Sequence, residues 1–329
     1  MKKIIRIVIY LVLILVVVVT ALLTYVKVAL PDVGPAEEIT IAYTPERIAR
    51  GRYLAHSVAV CMDCHSTRDW TRFSGPPANG TLGKGGDRFD QTMGLPGVFY
   101  ARNITPEGIQ RYSDGELFRV ITTGVNKEGT AMFPLMPYPY YGKMDREDIY
   151  DIIAYIRTLR PIKNDVPASS PEFPMNFIIN TIPQKGDPQV RPDTADVMAY
   201  GAYLTNASGC VECHSPVRQG QVIKKLSFSG GREFRSPDGA VVRSANITPD
   251  KKTGIGSWTE VQFIARFKAF AKPAHELPAV KPGEFNTIMP WSMYGSMKEQ
   301  DLAAIFTYLK SVDPIENKVT VFSPPAAAK

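Results

Sequence analysis

The sequence is poor in the two side chains that most often carry redox or metal chemistry. It has four cysteines among its 329 residues, and the cysteines form two pairs with the same spacing, Cys61 with Cys64 and Cys210 with Cys213. No thiol is left over for a separate site. Histidine is equally scarce, and the chain holds only His56, His65, His214 and His275.

The sequence also lacks a concentrated block of lysine or arginine. Its formal net charge is a modest +6, from 38 basic and 32 acidic residues scattered along the chain. Such a pattern is typical of a solvated surface, so we expect no nucleic-acid binding. The length suffices for about two domains, and the hydrophobic content of 44% is ordinary for a globular protein.

A histidine directly follows each cysteine pair, as Cys61-Met-Asp-Cys64-His65 and Cys210-Val-Glu-Cys213-His214. C-x-x-C-H is the attachment motif of c-type haem, in which two thiols bond to the porphyrin and the imidazole binds the iron. A thioredoxin-like dithiol or a zinc site of two Cys-x-x-Cys pairs would also use cysteines at this spacing. Neither explains the repeated histidine, so we predict two covalently bound haem c groups.

The amino terminus contains the one long apolar run. After Lys2, Lys3 and Arg6, residues 7–25 form 19 uncharged positions, of which 14 are Ile, Leu or Val. This length can cross a hydrocarbon core and exceeds the apolar region of a usual cleaved signal peptide, the competing interpretation. No cysteine follows the run directly, which excludes a lipoprotein anchor. We therefore predict an uncleaved anchor in the bacterial inner membrane, with its basic start in the cytoplasm and the haem domains in the periplasm.

The remainder of the chain is an internal repeat. Asn103-Ile-Thr-Pro recurs as Asn246-Ile-Thr-Pro, and we expect a structural loop beside each haem rather than a glycosylation site. The repeat predicts an anchor over 1–30, a first domain over 40–160, a second domain over 193–318 and a tail over 319–329. Seven prolines in 161–192 predict an extended, stiff linker between the domains.

Each half has the same predicted helices. A short helix precedes each haem motif, the first with Pro45 near its start. Ser113 to Glu116 and Thr259 to Gln262 are capping boxes, each opening an apolar-periodic run. The last helix of the first half is predicted to begin at Asp145, to include Leu159 and to end before Pro161; its counterpart carries Leu302, Ile305, Leu309 and Val312.

The second axial ligand of each iron is predicted from the repeat. Leu-Met136-Pro-Tyr matches Ile-Met289-Pro-Trp, and thioether is a known haem ligand. Met144 and Met297 are also equivalent, but each has a packing role before the final helix. We therefore predict His65 with Met136 and His214 with Met289 as the iron ligands. Met132 for the first haem, and His56 or His275 for either, remain open alternatives.

With their Asn-Ile-Thr-Pro loops and Met-Pro-Tyr or Met-Pro-Trp segments, the two motif-bearing halves resemble membrane-anchored dihaem c-type cytochromes. They are similar in particular to the cytochrome subunits that accept electrons from periplasmic alcohol, aldehyde and gluconate dehydrogenases, over about residues 40–318. The resemblance implies a mostly α protein with two tandem class I-like cytochrome c domains. It also implies that the first and last helices of each domain cross at a glycine against an aromatic ring, pairing Gly51 with Tyr155 and Gly201 with Tyr308. Subunits of this kind often carry three haems, whereas this chain has two motifs.

These features predict a one-electron carrier and not an enzyme. Its partners would be the inner membrane and redox proteins, namely a dehydrogenase, a quinol-oxidising complex or a terminal oxidase. The alternative is a dihaem peroxidase or another haem enzyme with one open iron, which the symmetric methionines disfavour. A gas or redox sensor would need an output domain, and no stretch is long enough to be one.

Overall fold

The computed structural model describes residues 1–236 and 238–325, and helices make up 40% of the chain. The α-helices are α1 (Lys2–Val28), α2 (Pro45–Tyr53), α3 (Cys61–Cys64), α4 (Pro106–Ile109), α5 (Asp114–Thr123), α6 (Tyr138–Tyr141), α7 (Arg146–Ile156), α8 (Met175–Ile178), α9 (Val197–Ala207), α10 (Cys210–Cys213), α11 (Glu260–Lys268), α12 (Trp291–Tyr294) and α13 (Glu299–Ser311). The strands are β1 (Arg88–Phe89), β2 (Gly97–Tyr100), β3 (Ser170–Pro171), β4 (Val217–Arg218), β5 (Gln221–Val222), β6 (Glu233–Arg235), β7 (Val241–Arg243) and β8 (Phe322–Ser323). The predicted predominance of helix is confirmed.

The apolar amino-terminal run forms one continuous helix, α1. Its 27 residues are long and apolar enough to cross a membrane, and none of them is buried against the rest of the protein. Membrane anchors pass this test of length and composition, and so do some signal sequences near an amino terminus.

The first and last helices of each half cross at a glycine, as expected. A Cβ atom added to Gly51 of α2 would lie 1.7 Å from the carbonyl oxygen of Asp151 and 2.9 Å from Cβ of Tyr155, both on α7. The equivalent atom on Gly201 of α9 would lie 2.0 Å from the oxygen of Ala304 on α13 and 3.1 Å from Cβ of Tyr308. Only glycine allows helices to approach this closely.

The predicted caps are present. Both capping boxes form, with Ser113 accepting from the Glu116 amide and Thr259 from the Gln262 amide. Asp145 caps α7 by accepting from the Glu147 amide, but α7 ends at Ile156. The prediction that it includes Leu159 is therefore wrong, although Leu159 is buried just beyond the helix. The prediction that the last helix of the second half includes Val312 is wrong as well, because α13 ends at Ser311 and Val312 is extended.

The two halves share one hydrophobic core, and their polar contacts are reciprocal. Tyr203 donates to Asp148 of the other half over 2.6 Å and accepts from the amide of Asp145 over 3.1 Å. The equivalent Tyr53 donates to Asp301 and accepts from the amide of Lys298. The buried apolar side chains of both halves form one continuous cluster, so the two halves pack directly against each other.

The segment after each last helix returns to its own half and adds a strand. β3 pairs with β2, and β8 pairs with β7, so each half has a small antiparallel sheet, β1-β2-β3 or β6-β7-β8. The linker over 161–192 is therefore not a bare extended connection, because it contains β3 and α8. Likewise the predicted tail over 319–329 contains β8, and its last residues, 326–329, lie outside the described part of the chain.

Candidate haem sites

Each cysteine pair lies on a single helical turn, α3 or α10, that starts after a left-handed residue. Val60 precedes α3 with φ of 46°, and Gly209 precedes α10 with φ of 61°. A left-handed β-branched residue is strained, whereas glycine adopts this conformation freely. Residues three positions apart on a helix are neighbours on one face, so the two cysteines of a pair share a face of the turn. All four cysteines are free of disulfides.

The histidine of each motif is oriented by a main-chain carbonyl. Nδ1 of His65 lies 2.6 Å from the oxygen of Arg102, and Nδ1 of His214 lies 2.8 Å from the oxygen of Ala245. A carbonyl can only accept, so Nδ1 carries the proton and Nε2 is left with its lone pair. Burial lowers the pKa of both imidazoles, which favours this neutral form. Histidines that bind metals are usually held in this way.

The Asn-Ile-Thr-Pro loop fixes the carbonyl that orients each histidine. Asn103 is buried, accepts from the amide and hydroxyl of Thr105, and donates to the carbonyl of Ile162 over 2.7 Å. Asn246 makes the same bonds to Thr248 and, over 2.7 Å, to Ile315. The tetrapeptide is therefore a structural loop beside each site, as the repeat predicts.

Two glycines that the sequence analysis did not identify complete the support of the histidines. The amide of Gly85 donates to the oxygen of His65 over 2.8 Å, and the amide of Gly230 donates to that of His214 over 2.7 Å. A Cβ at either glycine would lie 2.5 Å from the carbonyl carbon of Arg102 or Ala245. The repeated Gly-Gly pairs, 85–86 and 230–231, are the sequence feature that marks these positions.

Each predicted methionine lies in a loop that a buried tyrosine ties to its motif. Tyr141 follows Met136 by five residues and donates to the oxygen of Ala59, two residues before Cys61, over 2.7 Å. Tyr294 follows Met289 by five residues and donates to the oxygen of Ser208, two before Cys210, over 2.7 Å. Burial raises the pKa of both phenols well above the usual value, so each remains a donor.

The second methionine loop is also held by the first half. Ser74 is buried, donates to the oxygen of Met289 over 2.6 Å and accepts from the amide of Trp291 over 2.9 Å. Its own amide donates to the side chain of Asn286 over 2.8 Å. The loop that follows the first motif therefore braces the Met289 loop of the second half.

The alternative ligands have other partners or surroundings. Met144 and Met297 are almost completely buried within the shared core. Nε2 of His56 lies 2.6 Å from the hydroxyl of Tyr155, and the side chain of His275 is 77% exposed. Met132 lines the same cavity as Met136 and stays an alternative for the first site.

One large cavity extends from the first site to Cys213 of the second motif. Its volume is about 2900 Å³, several times the roughly 300–1,000 Å³ of an ordinary ligand pocket. Cys61, Cys64, His65 and Met136 line it from the first half. From the second half it is lined by Cys213 and by neighbours of the other predicted residues, such as Val211, Ile288 and Pro290, but not by Cys210, His214 or Met289. The volume suffices for two large planar groups, and at the first site the lining supplies the two thiols, the imidazole and the thioether that haem c requires.

Charged pairs flank both motifs. The buried carboxylate of Asp63 lies 3.1 Å from the Arg68 guanidinium, yet burial raises its pKa to about 6. The equivalent Glu212 pairs with Arg232 and accepts from the hydroxyl of Tyr140 over 2.8 Å. Because Tyr140 belongs to the helix directly after Met136, this bond joins the Met136 loop of the first half to the motif of the second.

The competing cysteine chemistries do not fit these surroundings. Burial raises the pKa of Cys61 and of Cys64 to about 12, whereas a reactive dithiol needs a lowered pKa. Within residues 1–236 and 238–325, no three cysteine, histidine or carboxylate side chains converge as a zinc site would require.

No family model matches the chain, but comparison with known proteins finds similar cytochrome subunits. The chain is 26% identical, over 84% of its length, to the cytochrome c subunit of a quinone-dependent alcohol dehydrogenase from Gluconacetobacter polyoxogenes. It is 28% identical, over 84%, to the gluconate 2-dehydrogenase cytochrome c subunit of Pantoea cypripedii. The chain is similar to electron-transfer cytochromes c. These similarities support covalently bound haem and electron transfer by a cytochrome. They favour an electron-transfer subunit over a catalytic one.

The lengths of these relatives differ from that of the chain. The chain spans 58% of the alcohol dehydrogenase subunit and 62% of the gluconate dehydrogenase subunit. A dihaem cytochrome c of Cereibacter sphaeroides is 27% identical over 78% of the chain, and 83% of that protein is covered.

Proposed function

We propose that the chain is a membrane-anchored dihaem cytochrome c that transfers single electrons in the periplasm between a redox enzyme or respiratory donor and an acceptor. The observation that carries this proposal is the repeated donor set. In both halves a C-x-x-C-H histidine is held through Nδ1 by the residue before Asn-Ile-Thr-Pro, which leaves Nε2 for iron. The similarity to a named dihaem cytochrome supports the count of two.

The residues have the following proposed roles. Cys61 and Cys64 hold one haem c through thioether bonds, and Cys210 and Cys213 hold the other. His65 with Met136, and His214 with Met289, are the axial ligands. The two cytochrome domains, residues 40–160 and 193–318, hold one group each.

A bound haem iron supplies one-electron oxidation and reduction, by which an electron can pass from a donor to an acceptor. The protein orients the imidazoles through Arg102 and Ala245, and it holds the methionine loops through Tyr141 and Tyr294. Both halves use the same supports. This symmetry favours two closed sites over an enzyme that keeps one iron face open.

Location and partners follow from α1 and from the relatives. We propose that α1 remains in the bacterial inner membrane and that both haem domains lie in the periplasm. Because the similar proteins are subunits of dehydrogenases, a dehydrogenase is the favoured donor. A quinol-oxidising complex would be an alternative donor, and a terminal oxidase would be the acceptor.

The proposal can be tested by absorption spectroscopy of the full-length protein. A pyridine haemochrome assay should give two haem c groups per chain. The oxidised protein should show the weak far-red band of methionine-ligated ferric haem, and the reduced protein should not change when carbon monoxide is added. Carbon monoxide binding at one haem would contradict two closed sites and favour the peroxidase alternative.

A further inference from the structure

A short segment beside the end of α1 presents large apolar side chains to solvent. We call this segment, residues 173–178, the foot. Phe173 is 79% exposed and Ile178 is 44% exposed. The rings of Phe173 and Phe177 are arranged edge to face, with centroids 6.4 Å apart.

The foot lies at the depth at which α1 leaves the bilayer. From Ile7, the 20 residues to Val26 rise about 30 Å at about 1.5 Å each, which equals the thickness of a hydrocarbon core. Lys27 is therefore at the far boundary of that core. Its ammonium donates to the oxygen of Asn176 over 2.8 Å and lies 4.8 Å from the centre of the Phe177 ring. The foot therefore contacts α1 directly, at the residue that marks the boundary of the hydrocarbon core.

The foot is fixed to the first half on both sides. Before it, β3 pairs with β2, and the amide of Glu172 donates to the oxygen of Pro96 over 3.0 Å. After it, Ile179 is buried in a cluster with Phe99 and Ala131. The foot therefore cannot turn away from the membrane without the first half.

We propose that the foot is a second membrane contact, inserted in the lipid headgroup layer of the bilayer that α1 crosses. This inference rests on the proposed anchoring by α1. Aromatic and aliphatic side chains beside a lysine are the residues that bind at this interface, and the headgroup layer extends roughly 5–8 Å beyond the hydrocarbon core. Because Ala131 belongs to the loop that leads to Met136, the contact makes the first haem site the membrane-facing one.

The test uses nitroxide labels on the full-length protein in phosphatidylethanolamine and phosphatidylglycerol vesicles. Phe173→Cys is compared with Val261→Cys, which is 75% exposed on α11 of the second half, and with Leu15→Cys in the middle of α1. Each added thiol is distinct from the four that haem consumes. Collision rates with oxygen, which enriches in lipid, and with a water-soluble nickel chelate give the depth of each label.

We expect a high ratio of oxygen to nickel collisions, typical of lipid, for the label at position 15. The ratio should be intermediate but lipid-like at position 173, and low, as in water, at position 261. A water-like ratio at 173 with a lipid-like ratio at 15 would overturn the foot and leave the anchor intact. A water-like ratio at 15 would overturn both. A lipid-like ratio at 261 would overturn the claim that the first half is the one facing the membrane. A label at Ile178→Cys should give the same result as the label at 173.

Discussion

Replacing Gly51 with alanine should separate α2 from α7 and destabilise the first half strongly. The new Cβ would lie 1.7 Å from the carbonyl oxygen of Asp151 and 2.3 Å from its carbon, so the obstacle is main chain and not a flexible side chain. To restore an ordinary contact of 3.4 Å, that oxygen must move away by about 1.7 Å. Overpacking usually costs about 1–3 kcal/mol, and a clash with helix backbone should cost at least about 3 kcal/mol.

The assay is thermal unfolding of the haem-loaded protein, followed by circular dichroism. A loss of about 3 kcal/mol should lower Tm by roughly 6–12 °C, at about 2–4 °C per kcal/mol in a chain of 150–250 residues or more. Gly201→Ala, whose Cβ would lie 2.0 Å from the oxygen of Ala304, should behave alike.

Gly186→Ala is the matched control. Its Cβ would meet no atom closer than 3.4 Å, and its backbone is not left-handed, so its stability should stay equal or rise by up to about 1 kcal/mol. A Gly51→Ala protein that unfolds at the temperature of Gly186→Ala would refute the close crossing of α2 and α7.

Three further changes separate the roles of individual residues. Met136→Ala should remove the far-red band of the first haem and allow carbon monoxide to bind there, whereas an unchanged spectrum would assign that iron to another ligand such as Met132. Ser74→Ala should remove two hydrogen bonds on the Met289 loop, each contributing about 0.5–1.5 kcal/mol. On heating, the far-red band of the second haem should then be lost at a lower temperature, while the loss of the first haem's band is unchanged. Equal loss of both bands would contradict the support of the Met289 loop by Ser74. Burial lowers the pKa of His56 to about 4 in the folded protein, whereas a histidine in the unfolded chain has a pKa near 6.5. Between these pH values the unfolded chain therefore binds more protons. The free energy of unfolding should then fall as the pH drops from about 6.5 to 4. The loss is at most about 3 kcal/mol at 1.36 kcal/mol per pKa unit, and urea denaturation should show a shallower pH dependence for His56→Gln; an unchanged slope would exclude His56 as its source.

The sequence predicts the parts of the fold that are written into short repeated patterns. The capping boxes at Ser113 and Thr259 form because an oxygen at the cap and an amide three residues later are neighbours in any helix. The glycine crossings at Gly51 and Gly201 could be expected only through the family resemblance. Strands β3 and β8 were missed, because two residues have no periodicity to detect.

The supports of the candidate sites depend on contacts between distant residues. Ser74 reaches Met289 across 215 positions, and Tyr203 reaches Asp148 across 55. Such bonds carry no local pattern, because the partner is set by how the halves pack. Tyr141 and Tyr294 could have been found, since the Met-Pro segment and the tyrosine five residues after each methionine repeat together.

The central claim is that this chain carries two haems that each exchange one electron. A potentiometric titration of the purified full-length protein, followed at the haem absorption bands, tests it most directly. We predict two one-electron steps per chain, with the His65→Ala protein losing the first site's step and the His214→Ala protein the second's. A single one-electron step in the unaltered protein, or a step that survives loss of both histidines, would contradict the account.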